Sequence, residues 1–499
     1  GLLADPERQK LRSLGVELSP GRNASADREM SWVCAALSAA EQRVCLVTDS
    51  VQPSFLYTRT SALFPALQPV PAEDFPFLPD CAAAAGAALQ QITLPDWLPE
   101  AVLLEARTLS QRCTYSFTAM RPEAVRALYG RTIPLSASKI DRFAGCRYAF
   151  FLQYGLRAAP WKQAEFDAPL FGSFVHDVLE HVVRAAQENG GFAAMTDGEI
   201  SALTERCMDA CMGTYLPQGE AAASRERYLS ARNRQEAAAV VMDVARELRL
   251  SQFAPAAEEL RFAPGGPLPP IEYRAKSGSG LLTGQIDRVD IYEADGTRYF
   301  RIIDYKTGHK DFDYAELLYG KNLQMLLYLF ALESYQKQTG QPMQPAGVLY
   351  VPGRCDMVKL KPGEDPAHAD NERRKDLRRK GLVLNDEAVL HAMESYEKKP
   401  QYLPFEHGPD GLAGDLASPA QLAELERFVT GQVESMIDEI LSGVTAPNPI
   451  NRGPSDTECK YCDFSSACHK DVCSVNTRRF ASVTPEEFWQ ELERRLEHG

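Results

Sequence analysis

Two aspartates and a lysine fall within the stretch Gly284 to Gly308, GQIDRVDIYEADGTRYFRIIDYKTG, and their spacing decides what they can do. Asp295-Gly296 sits between alternating apolar residues, the strongest short-range signal for a two-residue hairpin turn. A turn at that pair sets Asp290 opposite Arg301, an ion pair that supports the register, and sets Asp287 opposite Asp304. The second pairing puts two carboxylates on one sheet face with Cβ atoms roughly 4.5–5.5 Å apart, where like charges repel unless a cation lies between them. Lys306, two residues beyond Asp304, points to the same face. Two hard oxygen donors and an ammonium are the parts required for Mg2+-assisted hydrolysis of a phosphodiester. The alternative is a surface hairpin charged only for solubility. Against it, Val289, Ile291, Phe300 and Ile302 make the Asp287 face apolar, so the acids stand at the edge of a buried surface, where unpartnered carboxylates are costly.

The elements around the hairpin follow from pattern. With 499 residues and 44% hydrophobic content the chain can fill two or more cores. Residues 1–60 end in a helix-then-strand pattern, EMSWVCAALSAAEQRVCLVTDS, with Val44, Leu46 and Val47 as the strand. Residues 61–130, rich in Pro and Ala, read as a connector. A domain then opens near Leu135 with a helix through SASKIDRFAGCRYAFFLQYGL, capped by Ser136 or Ser138. A following helix from about Gly172 carries His176 and Glu180 one turn apart. Beyond the hairpin, KNLQMLLYLFALESYQKQTG predicts a mostly buried helix with Gln324 and Tyr328 one turn apart, GVLYVPG a strand, and residues 414–443 an amphipathic helix. Thr484-Pro485-Glu486-Glu487 opens a final helix with a capping box, over 481–499.

The first residues, GLLADPERQK, lack a secretory pattern, and no apolar run reaches the ~18 residues of a membrane span. The expected location is therefore cytoplasmic, and the start at Gly1 is expected to mark a fragment. In that compartment the twelve cysteines are not expected to form a disulfide framework, so clustered ones read as metal ligands. Cys459, Cys462 and Cys468 form such a cluster, C-x2-C-x5-C, in a polar segment. A fourth ligand is needed for zinc or for an iron-sulfur cluster, and His469, Cys473 and the distant Cys146 are the candidates. Cys207 and Cys211, one turn apart, read as buried helix residues. The net charge of −14 argues against nucleic acid as a partner, although six basic residues between Arg373 and Lys380 can form a local phosphate-facing patch.

Together LSASKIDRFAGC, GSFVHDVLE, GQIDRVD, IIDYKTG, the Gln-x3-Tyr pair and C-x2-C-x5-C resemble the nuclease domain found in one of the two protein chains of AddAB (RexAB) helicase-nucleases, the AddB (RexB) chain. These are RecB-like members of the PD-(D/E)xK superfamily that carry a 4Fe-4S cluster. The resemblance covers Leu135 to Cys473 and implies a mixed sheet flanked by helices over 131–480, an α/β fold. It implies Asp287, Asp304 and Lys306 as catalytic residues, with His176, Asp287, Asp304 and the Tyr305 carbonyl holding Mg2+ or Mn2+. Gln324 and Tyr328 would position the site or the DNA. Cys146, Cys459, Cys462 and Cys468 would hold one 4Fe-4S cluster. The implied activity is exonuclease action on single-stranded DNA ends during double-strand break processing for recombinational repair, with an AddA-type helicase-nuclease partner and without membrane. Ala36, Leu37, Ser38, Ala39 and Ala40 align with a superfamily 1 helicase motif whose arginine is absent here, and no GxxxxGK[ST] loop occurs. Residues 1–60 are accordingly expected to be the end of an inactive helicase-like domain. The family usually has Pro after its first cysteine, where this chain has Arg147. Three other readings remain at this point: a standalone RecB-like iron-sulfur exonuclease, a DNA-binding scaffold whose metal centre is structural, and a zinc-ribbon protein interaction module.

Overall fold

A computed structural model of the chain describes residues 118–159, 168–215, 224–308, 310–354, 372–397, 399–408, 411–453, 456–468 and 477–498. Before them it describes 5–16, 22–41, 53–66 and the single positions 44, 46, 100 and 104. By compactness the chain forms two units, one of residues 1–88 with 93–106 and one of 89–92 with 107–499. The first holds the helices α1 (Asp5–Ser13), α2 (Arg22–Ser38) and α3 (Phe55–Leu63). The strand expected after α2 is not found at Val44 or Leu46, and Val47 lies outside the described residues. A strand needs a hydrogen-bonding neighbour, and no described residue before 118 is in one. Most of the expected connector also lies outside the described residues.

The second unit runs α4 (Pro122–Tyr129), β1 (Thr132–Leu135), α5 (Ala137–Gly145), α6 (Arg147–Phe150), α7 (Ala168–Glu188), α8 (Asp197–Tyr215) and α9 (Ser224–Leu250). It continues with β2 (Ala254–Phe262), β3 (Ile271–Arg274), β4 (Ser279–Leu282), β5 (Gly284–Ala294) and β6 (Thr297–Lys306). After these come α10 (Tyr314–Leu318), α11 (Gln324–Gln338), β7 (Gln344–Pro352), β8 (Lys380–Leu384) and α12 (Glu387–Met393). The rest is β9 (Phe405–Gly408), β10 (Gly411–Gly414), β11 (Leu416–Ala417), α13 (Pro419–Leu441), β12 (Ile450–Gly453), β13 (Asp456–Thr457), α14 (Ser465–Cys468), β14 (Arg478–Arg479) and α15 (Pro485–His498).

Six of these strands make a mixed sheet in the order β11-β8-β7-β6-β5-β2. β2, β5 and β6 are antiparallel neighbours, whereas β6 and β7 run parallel. The fold class is the expected mixed sheet with flanking helices. The β5–β6 turn is the two-residue type that the sequence signals, with both central residues at positive φ, Asp295 at 52° and Gly296 at 75°. Ala294 consequently pairs with Thr297 and Asp290 with Arg301.

Side chains then divide between the two sheet faces by simple alternation. Buried Val289, Phe300 and Ile302 share the Asp287 and Asp304 face, where Gln324 of α11 reaches Asp304. On the opposite face lies a buried ionic network tied to α9. Arg288 forks onto Asp290 with bonds of 2.7 and 3.0 Å, Arg301 donates to the same carboxylate at 2.9 Å, and Arg301 stands 3.3 Å from Glu247. Arg379 donates to Glu247 through two nitrogens, at 2.9 and 2.6 Å, pairs with Asp243, and lies 4.6 Å over the Tyr402 ring.

This network corrects the reading of Arg373 to Lys380 as one phosphate-facing patch. Arg379 is fully buried, and Arg378 donates to the carbonyls of Leu403 and Phe405. At the entry to β8 the chain turns alternate side chains inward, so a run of like charges does not stay on one surface.

The long helix expected from Ser136 is also interrupted. Ser136 caps α5 by accepting from the Lys139 N–H at 3.3 Å, but Cys146 is extended, at φ −163° and ψ 122°. It ends α5 and caps α6 before a π turn over Phe151–Gly155. Near the carboxyl end, the Thr484–Glu487 box forms as expected: Glu487 accepts from the Thr484 N–H at 2.8 Å, and the Thr484 hydroxyl accepts from the Glu487 N–H at 3.2 Å. The helix expected from residue 414 begins at Pro419, because Ser418 and Gln421 close a capping box there.

Candidate active site

β5 and β6 bring Asp287 and Asp304 toward one another. Asp287 Oδ2 accepts from the main-chain N–H of Tyr305 at 2.8 Å, and it lies 3.4 Å from Nδ1 of His176 on α7. The other ring nitrogen of His176 is 2.7 Å from the Tyr305 carbonyl oxygen. His176 thus spans Asp287 and the end of β6. The close approach of α7 there depends on Gly172, since a Cβ at that position would come 3.0 Å from the Thr307 hydroxyl.

The Asp304 side of the site is held by two partners. Lys306 Nζ is 2.6 Å from Asp304 Oδ2, and Gln324 donates to Oδ1 at 3.2 Å. Oδ2 has no hydrogen-bond donor aligned on it, so the ammonium meets it as a neighbouring charge. Asp287 is pushed above the ordinary carboxylate range by burial and by the adjacent Asp304, against the opposing pull of His176, the Tyr305 N–H and Lys306. Buried Asp304 and half-buried Asp287 share one ammonium, a donor set that fits a hard divalent cation.

Tyr305 is the hinge between site and network. Its main chain faces His176 and Asp287, while its buried hydroxyl accepts from Arg288 at 2.6 Å. Tyr328 braces β5 from the other side. Its hydroxyl accepts from the Gln285 N–H, and a Cβ at Gly284 would fall 2.0 Å from that oxygen, which is why glycine begins the strand. Gln324 and Tyr328, one turn apart on α11, therefore each hold one of the two strands that carry the acids.

The residue that pattern did not reveal is Glu259 on β2. A bulge between Pro255 and Ala257 sets the later register, in which Glu258 pairs with Arg288 and Leu260 with Ile286, leaving Glu259 across from Asp287. One donor atom each from His176, Glu259 and Asp287 lie within 4.8 Å of one another. Burial and Asp287 raise the Glu259 carboxyl to about 7, with His176 opposing. No motif contains this glutamate; only the pairing of β2 with β5 brings it here.

The cysteines converge elsewhere in the same unit. Cys146, Cys459, Cys462 and Cys468 line one pocket together with Ala149, Phe464, Pro447 and Pro449. The Cys462 thiol is pushed up by burial and by Cys146 and Cys459 beside it. Extended Cys146 is what turns its thiol out of the helix register. Arg147 holds the first position of α6, where proline is well tolerated; here its N–H donates instead to Asn448 Oδ1 at 3.0 Å, and its guanidinium pairs with Glu439. The other candidate ligands, His469 and Cys473, lie outside the described residues, as does His309. Cys211 is buried and Cys207 half-buried on α8, in accord with helix packing.

The family model of the PD-(D/E)XK nuclease superfamily matches residues 134–469. The chain is 31% identical over 357 residues to the B-type chain of the ATP-dependent helicase/deoxyribonuclease of Acetivibrio thermocellus, covering 70% of this chain and 31% of the relative. To the protein of the same name from Caldanaerobacter subterraneus it is 30% identical, covering 70% of this chain and 30% of the relative. The match to the Moorella thermoacetica protein of the same name is 27% identical and covers 98% of this chain and 45% of the relative. The chain therefore spans between about a third and a half of these curated relatives.

Proposed function

The chain belongs to the PD-(D/E)XK nuclease superfamily, and from that premise we propose that it hydrolyses DNA phosphodiester bonds with Mg2+ or Mn2+ held by His176, Asp287, Asp304 and the Tyr305 carbonyl. The observation that carries the reading is that His176 on Asp287 and Lys306 on Asp304, from two strands and a helix, flank two carboxylates close enough for the charge of one to raise the other. A divalent cation held there would supply Lewis-acid chemistry, polarising a nonbridging phosphate oxygen and making an attacking water more acidic. Lys306, a compact point charge already at the site, offsets negative charge that develops on the phosphate. Gln324 keeps Asp304 aimed into the site, and Tyr328 keeps the β5 strand in place beneath Asp287.

The substrate in this reading is single-stranded DNA ends, fed by an AddA-type partner, within a helicase-nuclease that processes breaks for repair. The match across 98% of the chain, N-terminal unit included, favours this over a shorter standalone nuclease. Cys146, Cys459, Cys462 and Cys468 are assigned to one 4Fe-4S cluster, supported by four thiols in one largely apolar pocket. Its role is structural, since phosphodiester hydrolysis moves no electrons. Cys146 and Cys459 are more than three hundred residues apart, so the cluster closes a long loop of chain.

The test is cleavage of single-stranded DNA with Mg2+ and with chelator. Asp304→Ala and Lys306→Ala are each expected to lose at least about a hundredfold in rate, with circular dichroism unchanged. Cleavage by either variant at the parent rate refutes the assignment.

A further inference from the structure

We propose that Glu259 is a side-chain ligand of the divalent cation at the hairpin site. This rests on the nuclease reading above and adds to it a residue from a different strand. β2 forms the edge of the sheet, and its register with β5 puts Glu259 across from Asp287. Its φ is 51°, in the left-handed region that residues with a side chain seldom occupy.

The distances are those of ligands around one ion. Oxygens of Glu259 and Asp287 and a ring nitrogen of His176 fall within 4.8 Å of one another. A cation bonded to each at about 2.0–2.6 Å can bridge that span. Imidazole together with carboxylates suits Mn2+ and similar ions.

Charge accounting points the same way. On the Asp304 side, Lys306 supplies a positive charge and Gln324 a donor. On the Glu259 side, His176 is the basic group that opposes the acids, and Arg184, further along α7, is engaged by Glu180 at 2.5 Å. Among the described residues no ion pair or hydrogen bond holds the half-buried Glu259 carboxylate. Three acids thus share one ammonium and one imidazole, and the imbalance sits beside Glu259. Asp287 is common to both halves of the site, so Glu259 would join His176, Asp287 and Asp304 in holding one ion. A metal site built this way has a third carboxylate that tightens ion binding before any DNA arrives.

The experiment is a calorimetric Mn2+ titration of the full chain without DNA, comparing the parent with Glu259→Gln and Asp304→Asn. Manganese electron paramagnetic resonance gives the free ion independently. Glu259→Gln is expected to weaken Mn2+ binding by about tenfold or more, as the loss of a charged ligand does. Unchanged affinity in Glu259→Gln while Asp304→Asn binds weakly overturns the role of Glu259 and leaves the nuclease reading standing. Unchanged affinity in both variants overturns the metal site itself. Glu259→Ala, measured in the same way, keeps the test decisive if the amide disturbs the fold.

Discussion

Replacing Glu247 with Gln removes the acid at the centre of the buried network behind the active site. Burial by itself would raise this carboxyl, but Arg379, Arg301 and Arg288 hold it at about 2, against an ordinary 4.5. A folded-state value below the unfolded one contributes stability that is complete above about 4.5 and is lost as pH falls through about 2. The difference corresponds to roughly 3 kcal/mol near neutral pH, at about 1.4 kcal/mol per unit. Breaking a buried ion pair from one side costs about 3–5 kcal/mol by mutation, in the same range. Urea unfolding followed by circular dichroism is therefore expected to show Glu247→Gln less stable than the parent by about 3 kcal/mol at pH 7, a gap that falls to about half near pH 3. A gap below about 1 kcal/mol at pH 7, or one that does not shrink on acidification, would refute the reasoning. The result matters for function, because Arg288 of this network holds the Tyr305 hydroxyl.

Other substitutions follow from single contacts. Gly284→Ala, which would drive a Cβ to 2.0 Å from the Tyr328 hydroxyl, is expected to cost about 1–3 kcal/mol in urea unfolding and to slow cleavage; full stability and full activity together would contradict the packing described. Cys459→Ser is expected to abolish visible absorption in protein purified without oxygen and to lower the thermal midpoint, and a colourless parent that binds zinc would replace the iron-sulfur assignment with a zinc one.

The hairpin was legible because its turn chemistry is local: Asp295-Gly296 sets the register, and alternation then assigns every side chain to a face. The same holds for the caps at Ser136 and Thr484. Features that depend on distant pairing were not legible. Glu259 reaches the site only through the β2–β5 register, which a bulge shifts by one residue, and nothing local to AAEELRF announces that shift. Cys146 sits in what looks like continuous helix, and its extended conformation answers to groups far along the chain, including Asn448. Arg379 resembled its exposed basic neighbours, yet Asp243 and Glu247, more than a hundred residues earlier, draw it into the core. Paired charges are buried where partners await them, and those partners are invisible from the charge run itself.

The most direct measurement is an anomalous difference map from crystals of the chain soaked in Mn2+. One strong peak is predicted, bonded to His176, Glu259, Asp287, Asp304 and the Tyr305 carbonyl. A map with Mn2+ at saturating concentration and no peak at the Asp287 carboxylate would contradict that.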